Sequence, residues 1–123
     1  MSIRRFVVPV TTASDGSATA YSPVLNGRVV SLRYVKTDYA DTVDFVVTAE
    51  RTGETIWSEE NVTASATRHP RAATHTTAGA AALYASGGLG VLDKIGLDQD
   101  RVKIVLANGG DTKSGTFHIT IES

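Results

Sequence analysis

The chain contains no cysteine. Disulfides and thiolate metal sites are therefore excluded, and packing, hydrogen bonds or self-association must hold the fold. Charge of one sign is missing too. Twelve Lys and Arg stand against thirteen Asp and Glu, for a net charge of -1. Without a basic stripe, nucleic-acid binding lacks its usual electrostatic footing. No apolar run approaches a membrane span, so no membrane partner is expected. Met1–Phe6 begins like a charged signal region. The apolar stretch after it, Phe6–Val10, is too short for a signal core, and no small-residue cleavage site follows. The protein is expected to be made in the cytoplasm and not exported by its own signal. Helix is also lacking, because no window sustains an apolar period of 3.6 residues.

What remains is alternation. At 123 residues, 41% apolar and 20% charged, the chain suits a single soluble domain over 1–123 with one core. Phe6, Val8 and Val10 alternate in a first strand, and Pro9 places that strand at a sheet edge. A second extended run covers Ala18–Leu25. Asn26-Gly27 reads as a two-residue hairpin turn into Arg28–Lys36, a central strand with Val30, Leu32 and Tyr34 on one face. Val43, Phe45, Val47 and Ala49 line the next strand, which turns at Arg51–Glu54 into Thr55–Ser58. Asn61–Thr67 reads as an exposed polar strand and Arg68–Gly79 as a long loop. Ala80–Ala85 and Val91–Ile95 flank a glycine-rich hairpin tip, Ser86–Gly90. Val102, Ile104 and Leu106 alternate, as do Phe117, Ile119 and Ile121. Asn108-Gly109-Gly110-Asp111 between them predicts a closing hairpin. Eight to ten short strands at this spacing predict an all-β fold, an antiparallel two-sheet β-sandwich of jelly-roll type.

Catalytic signatures are absent. Ser86-Gly87-Gly88-Leu89-Gly90 lacks the Gly-Lys-Ser/Thr ending and the strand–helix context of a phosphate loop. No nucleophile elbow and no HExxH helix occur. His69, His75 and His118 would ligate a metal only if a loop folded onto the last strand. Asp38, Asp41 and Asp44, like Asp93, Asp98 and Asp100, fit no calcium-loop spacing. Asn61-Val62-Thr63 matches a glycosylation sequon and, without a secretion signal, is read as coincidence. Enzymatic activity, cofactor and metal are not expected. Trp57, with Tyr21, Tyr34, Tyr39 and Tyr84, is the set a sugar-stacking platform would use, and core or interface packing is the expectation for each.

Three blocks carry a resemblance. They are Val35–Phe45 running into Thr52–Ile56, Asn61–Thr67 with His69-Pro70-Arg71, and Asp100–Val105 with Gly109-Gly110-Asp111 and Gly115–His118. In these the chain resembles small virion proteins of tailed bacteriophages. The resemblance implies a capsid decoration (cement) protein in the virion, assembled in the host cytoplasm. Its partners would be the major capsid protein and itself, as a dimer or trimer. A neck or tail component is the alternative within the virion, and a carbohydrate-binding sandwich module the alternative outside it. Met1–Arg5 is then a candidate arm, with Ile3, Arg4 and Arg5 at the contact and the two arginines facing acidic shell surface. The loop bearing Arg68, His69, Arg71 and His75 is the second candidate contact. Val7, Val29, Val35, Val46 and Val105 fall on outward positions in excess of what a wet sheet face needs, which points to a subunit interface.

Overall fold

A computed structural model describes residues Ser2–Ser123. It contains eleven strands and, among the described residues, no helix. They are β1 (Ile3–Thr11), β2 (Ala18–Tyr21), β3 (Leu25–Lys36), β4 (Asp44–Ala49), β5 (Thr55–Glu59), β6 (Ala66–Arg68), β7 (Ala72–Ala73), β8 (Leu92–Asp93), β9 (Ile95–Asp100), β10 (Val102–Ala107) and β11 (Ser114–Glu122).

One sheet runs β1-β11-β3-β6, with β9 also paired to β3; the facing sheet runs β2-β10-β4-β5. The pairs nest: β1 with β11, β2 with β10, β3 with β6 and β9, β4 with β5, all antiparallel. First pairs with last and inner with inner, and each pair is split across two layers from the next. That is the jelly-roll wrapping of a two-sheet sandwich. β1 lies at an edge, where the missing N–H of Pro9 is tolerated.

Alternation fills the space between the layers. Val102, Ile104 and Leu106 of β10 and Phe45, Val47 and Ala49 of β4 point in from one sheet. Phe117, Ile119 and Ile121 of β11 and Val29, Leu32 and Tyr34 of β3 point in from the other. Each large side chain so buried stabilises the fold by about 1.5–3 kcal/mol. An aromatic cluster sits at the centre. Phe45 meets Phe117 edge-on at 5.2 Å and Trp57 edge-on at 4.7 Å, and Tyr34 lies 5.0 Å from Phe45. These offset and edge arrangements match the ring quadrupoles.

Three sequence expectations are corrected here. The closing hairpin does not form: β10 and β11 lie in different sheets, and residues 108–113 cross between them. The crossing is tied by Thr12, whose hydroxyl donates to the Gly110 carbonyl (2.7 Å) and accepts from the Lys113 amide (2.8 Å). Asn26-Gly27 is no turn, because β3 runs straight through it. Gly27 takes φ +132° at an irregularity in the ladder to β9. Finally, Val29 is fully buried and Val30 only partly so. The pairs Thr120↔Ser31 and Ile121↔Val29 leave Val30 as an extra residue, so a bulge flips the parity of β3. Val29 is therefore core, while Val7, Val46 and Val105 are exposed as expected.

Candidate functional site

β6 and β9 occupy the same edge of β3 in the same direction. β6 pairs with Leu32–Tyr34, and β9 pairs with the Leu25–Val29 half. They are one strand position interrupted opposite Val30, and residues 69–94 form an insertion there. Its short stem pairs Ala72 with Asp93 and Ala73 with Leu92. Beyond it the amide of Thr74 donates to Val91, that of Val91 to Ala82, and that of Ala82 back to Thr74, each at 2.9 Å. This closed triangle joins the stem to two fingers. One finger is bridged at His75↔Ala81, the other at Leu83↔Gly90, with Tyr84 donating to the Leu89 carbonyl (3.0 Å) near its tip. The lobe is thus hydrogen-bonded through its centre although none of its residues is in the buried core.

Its surface is unusual for an exposed segment. No Asp, Glu, Lys, Arg or His occurs between His75 and Asp93. Large apolar side chains stand in solvent instead: Leu89 is 81% exposed, Tyr84 76%, Leu92 57% and Leu83 43%. Large apolar side chains exposed together on one insertion make it a candidate interaction surface.

The expected contact residues divide into two kinds. Arg68 and Arg71 hold the lobe's root. The Arg68 Nε donates to Glu59 (2.6 Å), and its guanidinium lies 5.6 Å from the Trp57 ring, tying the edge of one sheet to β5 of the other. Glu59 also accepts from the Trp57 indole (2.8 Å). Burial alone would raise the Glu59 pKa, but these two hydrogen bonds and the Arg68 charge leave it below the ordinary carboxylate value. Arg71 donates to the carbonyl of Val30, the bulge residue left without a facing strand (3.1 Å). His69 and His75 are exposed.

At the other terminus, the segment expected as an arm is paired strand over its described residues. Ile3, Arg4 and Arg5 pair with Glu122, Ile121 and Thr120, and Ser2 exchanges backbone hydrogen bonds with Ser123. Met1 lies outside the described residues. Ile3 and Arg5 are exposed on β1, while Arg4 lines a shallow cleft with Phe6, Val24 and Leu25. Arg5 shares the outer face of its sheet with Arg33 and His118, and His118 is paired directly opposite Arg33. Neither arginine has a carboxylate partner among the described residues. Burial first, then Arg5 and Arg33, hold the His118 imidazole below its ordinary pKa.

The aspartates serve the backbone. Asp100 accepts from the amides of Arg51 and Arg101 (2.8 Å each) where β9 crosses to β10. Asp44 accepts from Asn61 and Asn108, and Asp38 from Ser114. Asp41 pairs with Lys36. Asp98 and Asp100 lie on a strand, β9, and not in the loop expected. Among the described residues, no three His, Asp or Glu side chains converge as a metal site. No helix among them is long and apolar enough to cross a membrane. Of the aromatics considered for sugar stacking, Trp57, Tyr34 and Tyr39 are buried, and Tyr21 and Tyr84 are exposed. The hairpin expected around Ser86–Gly90 is the second finger; sequence reasoning missed the rest of the lobe because its stem strands are two residues long and face solvent. The run without charged residues was the signal that could have found it.

Fold and surface together define a jelly-roll sandwich bearing an inserted apolar lobe. No protein-family model matches the chain, and no curated protein shows significant similarity to it.

Proposed function

We propose that the protein is a phage virion component that decorates and cements the outside of the capsid shell. It acts by adhesion and carries out no chemistry. The observation that carries this reading is the lobe, which adds an exposed apolar surface and only Ala72 against the core. The polar groups that might have been recruited for catalysis are dispersed, and many are occupied in holding corners and edges. Jelly rolls recur in capsid proteins and lectins, which adds an argument by analogy only.

Two surfaces suit two partners, the major capsid protein and another copy of this chain. The outer face carrying Arg5 and Arg33 suits an acidic shell, with β1 offering its unpaired edge beside them. Ile3 and the exposed His69 and His75 remain candidate contacts; Arg68 and Arg71 contribute by mounting the lobe. Electron microscopy of particles containing the protein tests this. Many copies spread over the shell are expected, and binding should weaken with salt and with Arg5→Glu or Arg33→Glu. A single ring on the tail axis would refute decoration in favour of the neck or tail reading.

A further inference from the structure

We infer that the lobe is the face on which copies of this chain associate with one another, with Tyr84 and Leu89 at the centre of the contact. The inference rests on the adhesive reading above and assigns one surface its occupant. Charge decides between occupants. Around a closed symmetry axis each group lies close to its own equivalent, so a charged residue near the axis meets like charge. A surface without charges avoids this, and an apolar one is complementary to itself. Between His75 and Asp93 the chain carries no charged side chain, and the tip of the second finger presents Tyr84 and Leu89.

The rim of the lobe agrees. At its root Asp93 lies 3.8 Å from Arg28, and Lys94 pairs with Glu122 (3.1 Å). These charges pair with one another, and Arg71 is turned to the carbonyls of Val30 and Pro70, so the fingers themselves offer no charge to select an oppositely charged foreign partner. The partner suited to a charged field is the shell, and the uncompensated arginines that would meet it lie on the outer sheet face. The centre of a subunit interface is depleted in charge and enriched in aromatic and large apolar residues, as here. The hydrogen-bonded triangle of Thr74, Ala82 and Val91 holds the fingers in place beforehand, so association orders little.

Sedimentation of the purified full chain over a concentration series tests the assignment without any capsid present. The wild type is expected to run as a closed oligomer. Leu89→Asp and Tyr84→Ser, both outside the core, are expected to weaken association by about thirtyfold or more with an unchanged circular dichroism spectrum. A wild type that stays monomeric at every concentration overturns the inference. So does an oligomer that both variants leave intact. If the wild type is monomeric and Leu89→Asp nevertheless abolishes shell binding, the lobe belongs to the shell contact, and the decoration reading stands without this inference.

Discussion

Gly27→Ala tests the path of β3 at the point where the sequence points to a turn. Gly27 has φ +132°, a backbone conformation that costs a side-chain-bearing residue about 1–3 kcal/mol. A Cβ there would stand 2.9 Å from Ile121 Cγ2 and press on the backbone carbonyl of Glu122. The carbonyl belongs to β11 and cannot rotate away, so β3 and β11 must part near the pairs Val29↔Ile121 and Arg28↔Glu122. Losing one or two ladder hydrogen bonds adds about 1 kcal/mol each. The expected loss is about 2–5 kcal/mol. Urea unfolding measures it as a midpoint lower by about 0.7 M or more, given a slope of about 1–3 kcal/mol per M. Gly53→Ala is the control. It also has positive φ, +74°, but nothing lies within 4 Å of the added Cβ, so only the backbone term, about 1–2 kcal/mol, applies. If the two variants cost the same, the close approach of β3 to β11 is refuted, and with it the continuous strand through Asn26-Gly27.

Two further outcomes follow from buried polar groups. The Tyr34 hydroxyl is buried without a partner among the described residues, and burial pushes its pKa up to about 12, whereas the Tyr39 hydroxyl donates to the Val10 carbonyl. Tyr34→Phe is therefore expected to be neutral or stabilising by up to about 1 kcal/mol, and Tyr39→Phe to cost about 1–2 kcal/mol; equal losses in urea unfolding would contradict this. For His118 the sign is fixed by its lowered pKa. The unfolded chain takes up the proton first as pH falls, so this residue's contribution is complete above the ordinary histidine value of 6.5 and is lost as pH drops through the folded pKa. Following the imidazole by NMR, Arg33→Gln is expected to raise its pKa toward the ordinary value; no movement would remove Arg33 from its surroundings.

Alternation made the core legible. Phe45, Val47, Ala49, Val102, Ile104, Leu106, Phe117, Ile119 and Ile121 are all inward as their spacing requires. Period two says which way a side chain points and nothing about which strand lies beside it. Val102–Leu106 and Phe117–Ile121 would bury the same residues as neighbours in one hairpin or as opposite walls of a sandwich. Asn108-Gly109-Gly110 served equally well for either, since φ of +56° at Asn108 and +91° at Gly110 suits a tight turn or a crossing. The Val30 bulge was hidden for a related reason: two adjacent valines fit either parity, and only the register with β11 chooses Val29.

The wrapping also accounts for where the lobe can be carried. The position shared by β6 and β9 is at a sheet edge, so interrupting it removes ladder bonds from one side of β3 only. The break falls opposite Val30, whose bulge has already taken it out of register, and Arg71 donates to the Val30 carbonyl there. On the near side of the break Arg68 ties its strand to Glu59 and Trp57 in the facing sheet. Both arginines were attractive as contact residues because they are basic, exposed and set in a long connection. Their partners give them a different task. Adhesion lost on replacing Arg71 reports how the lobe is mounted, whereas adhesion lost on replacing Leu89, which touches none of this scaffolding, reports the contact itself.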